Sequence, residues 1–298
     1  MTLSSDQWRG HLAMLCFSAL VAGSFSLGHI VANEIAPAAL NAIRFVLASV
    51  VMGIFVVAGP GFKRKSFQAP WRYLVLGGLF GLYFVLMFEG LKTAKPISAA
   101  AVFTLMPMMA ALMGFVLLRQ ITTRRMAVAL FIAAIGSLWV IFRGDLTAIK
   151  QLDVGRGEVI YFIGCISHAI YTPMVRKLNR GEGAVTFTFG TLVGGSFLLL
   201  AVGYGELVAT PWSDLPGMVW LTLGYLVVFS TAASFVLLQY ATLRLPSAKV
   251  MAYAYLTPSW VIMWEASFGN GVPTILVMLG IAATIAALLI LLKDEANE

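Results

Sequence analysis

The sequence predicts an all-α integral membrane protein, and three observations predict it. Ten apolar stretches of about twenty residues follow one another with short polar gaps, and ~20 apolar residues are what one helix needs to span the ~30 Å hydrocarbon core. Of the 298 residues, 60% are hydrophobic and 11% charged, and the mean hydropathy is +0.91; globular domains carry ~25% charged residues. The Lys and Arg residues gather in alternate gaps. Lipid offers the backbone no hydrogen-bond partner, so continuous helices are the expected way across.

The stretches are justified in order. The first, 10–31, follows Arg9 and lacks a small-residue exit; nine more spans follow, so it reads as a retained helix and not as a signal peptide. The second, 37–58, opens on Pro37 and stops at Gly59-Pro60-Gly61. The third, 71–91, carries Gly77, Gly78 and Gly81, small residues that let helices slide or rock. The fourth, 96–118, opens on Pro96 and holds Pro107 near its middle. The fifth is 125–142. The sixth, 157–175, contains His168 and is followed by Gly181-Glu182-Gly183. The seventh, 184–204, contains Gly190 and Gly194 at close-packing spacing. The eighth, 217–240, follows Pro211 and Pro216. The ninth, 246–267, opens on Pro246, holds Pro258 and stops before Gly269-Asn270-Gly271. The tenth is 273–292.

Charge sets the orientation. One side carries 13 Lys and Arg, among them Lys63, Arg64, Lys65, Arg72, Arg176, Lys177, Arg180 and Arg244. The other carries 5: Lys92, Lys95, Arg143, Lys150 and Arg156. The richer side is expected in the cytoplasm, with both termini there. The net charge of +7 thus serves topology, and no basic groove with interleaved aromatics suggests nucleic acid. Cys16 and Cys165 lie inside apolar spans and read as packing residues.

The two halves match weakly and in order. Phe84-Val85-Leu86 recurs as Phe235-Val236-Leu237, Leu105-Met106-Pro107 as Leu256-Thr257-Pro258, and 129–136 parallels 280–287, all at an offset of 151 residues. Five spans are an odd number, so the second half enters from the opposite side, and inverted repeats are a mark of secondary transporters. The expected division is a first five-helix repeat over 1–145, a connecting loop over 146–156 and a second repeat over 157–298, around a central cavity.

Five plus five helices, Pro37 and Arg44-Phe45 opening the second helix, and the mid-membrane prolines resemble the drug/metabolite transporter superfamily, within it the ten-helix EamA-type exporters and, among these, the aromatic amino-acid exporters. The second half departs from this pattern, with Phe189 at the position of Arg44. The resemblance implies export of small organic metabolites by alternating access, with amino acids including aromatic ones as the expected solutes. A drug or toxic-metabolite exporter working by proton antiport is the alternative. It also implies a bacterial inner membrane location.

Depth along the helices selects the site residues. Pro107 and Pro258 sit about eleven and twelve residues into their helices, at mid-bilayer. Each is expected to bend its helix and free a carbonyl one turn earlier, that of Phe103 or Ala254. Tyr83, Phe103, Thr104, Met106, His168, Tyr171, Tyr255 and Ser259 reach the same depth and form the expected lining of a central, substrate-binding cavity. Aromatic and thioether surface with a few polar tips suits an amphiphilic solute. His168 is the sharpest: a mid-membrane ionisable group is costly and functional by default, although a His bonded to neighbouring helices is the competing case. Arg44, Glu89, Glu265 and His29 lie toward the outer ends. Pairing of Arg44 with Glu89 or Glu265 as an outer gate or structural charge is expected, with direct contact to a solute carboxylate as the other reading. His11 and Lys249 read as interfacial.

Catalytic patterns are missing. No P-loop, H-E-x-x-H or metal-spaced Cys/His cluster occurs, Arg143-Gly144-Asp145 is a loop coincidence, and no acid lies mid-span. Neither enzyme chemistry nor a cofactor nor a metal is expected. A channel would want rings of charge or carbonyls. The expected partners are the lipid bilayer and a small solute. The first helix has no acid of the kind the superfamily's four-helix proton antiporters use, so weakly coupled or passive export is expected.

Overall fold

The structure is a computed structural model and describes residues 5–59, 61, 64–121, 123–142, 144–147 and 154–293. Pro60, Lys63, Arg143 and Lys150, on which the turn and charge readings draw, lie outside the described residues, as do 148–153 of the connector. Every regular element among the described residues is helical. Eight helices are long and apolar enough to cross a bilayer: α1 (Ser5–Val31), α2 (Pro37–Ala58), α3 (Trp71–Leu91), α4 (Pro96–Leu118), α5 (Arg124–Ile141), α6 (Arg156–Leu178), α7 (Ala184–Val202) and α8 (Gly217–Thr242). The other two expected spans take another form. The ninth, α9, is broken into Ser247–Ala252, a 3-10 turn Tyr253–Leu256 and Thr257–Ser267. The tenth, α10 (Ile275–Lys293), contributes the shorter apolar run Ile275–Leu291.

Local chemistry explains starts and breaks. Pro37 and Pro96 open α2 and α4 after residues in extended conformation, where a missing N–H costs nothing. Thr123 caps α5 by accepting from the Met126 N–H at 3.1 Å. In α4 the helix stops at Phe103 and resumes at Met106, with Pro107 in the first turn of the second piece. The Leu105 N–H turns back to the carbonyl of Val102 at 3.1 Å, a 3-10 step just before the proline, which itself has no N–H to give the Phe103 carbonyl. The 3-10 turn of α9 stands likewise just before Pro258. In α8 the residues Val228–Ala233 form a π turn. Two boundaries differ from expectation. The helix α6 passes through Pro173 to Leu178, and α7 ends at Val202 before a separate short helix, Tyr204–Ala209. Gly181, at φ +90°, takes the left-handed turn between α6 and α7.

Packing brings the halves together through matched positions. The helix α3 lies against α6 and α7, α2 against α7, α5 against α10, and α1 against α8 and α9. Phe84 and Phe235, equivalent in the repeat, stack with ring centres 5.9 Å apart and planes 7° from parallel. These rings lie on α3 and α8, one in each half of the chain. A Cβ at Gly136 would lie 2.8 Å from the Gly280 carbonyl oxygen, so glycine there lets α5 and α10 pack backbone against backbone.

On the Lys/Arg-rich side one ion pair ties α3 to the α6–α7 turn. Arg72, 1% exposed, donates to Glu182 Oε1 at 2.7 Å and to the Leu178 carbonyl at 2.6 Å. Partial burial disfavours the charged Glu182, but hydrogen bonds from Arg72 and from the Arg180 N–H outweigh it, and its carboxyl lies below the usual range. A carboxylate so depressed stabilises the fold fully above the unfolded value of ~4.3 and loses that contribution as pH falls through the folded value. Glu182→Gln is therefore expected to lower the unfolding temperature at pH 7, and the wild-type and variant curves to converge in acid. Parallel curves at every pH would remove the role given to this pair.

Candidate functional site

The centre of the molecule is an aromatic cluster built on one face of α3. Phe80, Tyr83, Phe84 and Met87 follow the i, i+3, i+4, i+7 spacing of one helical stripe. Tyr171 of α6 stacks on Phe80 at 4.3 Å, and Phe235 of α8 meets Phe80 at 4.1 Å. His168, one turn before Tyr171, has its ring 4.7 Å from Phe80, 4.5 Å from Tyr83 and 6.0 Å from Phe103. The Tyr83 hydroxyl bonds that of Tyr161 at 2.9 Å. Phe17, Val21, Ser24 and Phe25 of α1 and Ser234 of α8 complete the lining of a central space. That space is about 10 Å³, room for a single water centre, so the expected cavity is shut.

His168 is 1% exposed, and both its ring nitrogens lack a hydrogen-bond partner. A buried polar atom left unpaired costs ~1–3 kcal/mol. The competing expectation, a His satisfied by neighbouring helices, does not describe this side chain.

Arg44 stands beside the cluster, fully buried. Its Nε donates to Thr231 Oγ1 at 2.6 Å, and its terminal nitrogens donate to Asn41 Oδ1 at 3.3 Å, to the Ser230 carbonyl at 3.0 Å and to Ser230 Oγ at 3.4 Å. The guanidinium lies 3.8 Å over the Phe84 ring. Ser230 and Thr231 belong to the π turn of α8, a local geometry frequent at functional sites. The Ser230 hydroxyl in turn bonds Ser24, which lines the central space. The expected pairing of Arg44 with Glu89 or Glu265 is corrected. Glu89 is partly exposed and binds Lys92 at 2.6 Å, one turn along its own helix end. Glu265 accepts from Asn270 at 2.9 Å. Among the described residues no carboxylate pairs with Arg44, and all its partners are neutral. A buried charge without a counter-charge is expensive.

The remaining expected residues separate. Tyr83, Phe103, His168 and Tyr171 come together. Thr104 bonds the Ala101 carbonyl at 2.6 Å and the Ser137 hydroxyl, hooking α4 to α5. Met106 is buried in the core, outside the lining of the central space. Tyr255 sits in a second apolar cluster with Met126, Leu130 and Leu288. Ser259 Oγ is buried and unpaired, also away from that space. His29 bonds the Leu91 carbonyl at 2.8 Å, and His11 the Tyr253 hydroxyl at 3.0 Å.

Sequence reasoning missed Phe80, Tyr161, Asn41 and Gln239. Tyr161, seven residues before His168, shares its stripe, and that spacing could have found it. Gln239 donates to the Tyr171 hydroxyl at 3.1 Å and to Thr191 Oγ1 at 3.3 Å. Its neighbours Val236 and Tyr240 help Arg244 to line a recess of about 840 Å³ on the Lys/Arg-rich side. Two polar groups thus flank the aromatic centre: Gln239 and Thr191 beside Tyr171, and Arg44, Ser230 and Thr231 beside Phe84.

Comparison with known proteins agrees with this architecture. The EamA-like transporter family model matches residues 8–142 and again 155–293. An uncharacterized transporter of Bacillus subtilis (strain 168), YyaM, is 27% identical over 282 residues, covering 91% of this chain and 92% of that protein. A protein of Chlamydia muridarum (strain MoPn / Nigg) named S-adenosylmethionine/S-adenosylhomocysteine transporter is 25% identical over 224 residues, covering 70% of this chain and 67% of its own. A solved crystal structure shares the fold at a TM-score of 0.72 with 18% identity, each chain covered completely. The chain belongs to the EamA-like transporter family and is an integral membrane protein of several apolar helices.

Proposed function

We propose that this EamA-family chain carries small metabolites with a carboxylate and an aromatic or other planar body, amino acids foremost, out of the cell by alternating access. One observation carries the reading: among the described residues a fully buried Arg44 has only neutral partners, and its guanidinium lies over Phe84 of the aromatic centre. The solute carboxylate is the missing counter-charge, and a bidentate Arg–carboxylate pair is strong and directional. The solute body slides between the rings around Phe80, Tyr83 and His168. The named activity of the Chlamydia muridarum relative supports this chemistry, since S-adenosylmethionine joins an amino-acid end to a planar base. In this reading the shut centre is an occluded stage of the cycle, and the two polar groups that flank it part in turn as the halves rock. In this reading the ten apolar stretches are ten crossings, the Lys/Arg count puts both termini in the cytoplasm, and the family membership suggests the plasma membrane.

The test is counterflow with purified protein in liposomes, using labelled amino acids and S-adenosylmethionine. Saturable exchange of either class supports the reading; exchange of neither removes it. The unpaired ring of His168 favours a second reading, proton-coupled export. Exchange that requires a pH gradient would select it, and gradient-independent exchange would select facilitative transport.

His168→Ala and Tyr83→Ala are expected to lower transport in folded protein. His168→Phe separates function from stability. It removes two unpaired buried nitrogens, so its unfolding temperature is expected to equal or exceed wild type while transport falls. Full transport by all three variants would take the solute path away from this cluster.

A further inference from the structure

An apolar groove lies on the α3–α7 contact, at its Lys/Arg-rich end. Its volume is about 380 Å³, and Phe67, Tyr73, Leu74, Phe189, Val193 and Phe197 form its walls. Phe67, Val193 and Phe197 are 59%, 44% and 68% exposed. Both helices are spans by length and hydropathy, so this surface meets acyl chains, and the concavity offers one chain a slot where a plain helix offers only a face.

The mouth of the groove is built. The Tyr73 hydroxyl donates to the Ser66 carbonyl at 2.9 Å and pins the 3-10 turn Arg64–Phe67 to α3. That turn ends in Phe67, a wall of the groove, and begins with exposed Arg64. Arg64 is the middle of the sequence run Lys63-Arg64-Lys65. Exposed Arg64 and the groove wall Phe67 share one short turn, and an apolar slot with a cation on the same turn matches a ligand with an acyl chain and an anionic head. Basic residues next to a membrane span attract anionic lipid headgroups, and a concave apolar wall gives a chain more packing contacts than a plain helix face.

We infer that this groove binds one acyl chain of an anionic phospholipid, with the headgroup phosphate at Arg64. The inference goes beyond the transport reading; only the identity of the leaflet, cytoplasmic, rests on the charge count.

Native mass spectrometry of the full chain in detergent, with equimolar phosphatidylglycerol and phosphatidylcholine, tests it. The expected result is one retained phosphatidylglycerol adduct. Val193→Trp fills the groove and abolishes it. Arg64→Gln keeps lipid binding and lowers the preference for phosphatidylglycerol about fivefold. Should Val193→Trp fail to fold, a photoreactive acyl chain on phosphatidylglycerol is expected to label the 186–197 segment of the wild type. Equal retention of both lipids, adducts unchanged in folded Val193→Trp, or labelling elsewhere overturns the inference. A species of twice the chain mass that Val193→Trp disperses also overturns it and gives the groove to a second copy. Counterflow activity is independent of all these outcomes.

Discussion

Replacing Arg44 with Gln is expected to raise the half-saturating concentration of a carboxylate-bearing solute by about 10- to 150-fold, the equivalent of the ~1.5–3 kcal/mol of a charge-assisted hydrogen bond. The same change relieves an uncompensated buried charge, so the folded protein is expected to survive it. The Thr231, Asn41 and Ser230 partners remain able to bond an amide. A decarboxylated amine, which the guanidinium repels, is expected to pass no worse than in wild type. Arg44→Lys keeps the charge and loses the planar fork over Phe84, so its loss of affinity should be intermediate. Equal loss for amine and amino acid, together with a fallen unfolding temperature, would return Arg44 to a structural role.

Gly77→Val is expected to cost the most in stability. A Cβ at Gly77 would lie 2.6 Å from the Gly195 Cα and 2.6 Å from the Thr191 carbonyl, both backbone atoms of α7 that cannot swing aside. The α3–α7 contact exists at this distance only because both faces are glycine there. Overpacking costs ~1–3 kcal/mol where side chains can adjust, and here the helices must part. Low yield and a lowered unfolding temperature are the expected outcome. Gly224→Val in α8 is the control, because a Cβ there meets nothing within 4 Å. Matching melts for the two variants would show that α3 and α7 separate freely.

Much of this was legible in the sequence, for physical reasons. Length and hydropathy identify spans because the bilayer imposes one thickness on all of them. Pro107 and Pro258 announce the breaks in α4 and α9, since a ring without an N–H must interrupt the ladder. The matched Phe84 and Phe235 do meet at the centre. Depth counting placed Tyr83, Phe103, His168 and Tyr171 at one level, and they form one cluster. It did not bring Thr104, Met106, Tyr255 and Ser259 to the central space, because depth carries no information on which way a helix is rotated. Rotation turned Thr104 toward Ser137 and Tyr255 toward Leu130. The partners of Arg44 were illegible for a similar reason. A carboxylate is the natural guess for a buried guanidinium, and the π turn that presents Ser230 and Thr231 has no sequence signal. The shut central space depends on differences of a few tenths of an ångström in interhelical distance, which residue spacing does not carry.

The most direct measurement on the central claim is competition in wild-type counterflow by a matched pair, phenylalanine and 2-phenylethylamine, which differ only by the carboxylate. The account predicts that phenylalanine competes and the amine does not. Competition by both at the same concentration would contradict it, and would leave Arg44 without a solute to meet.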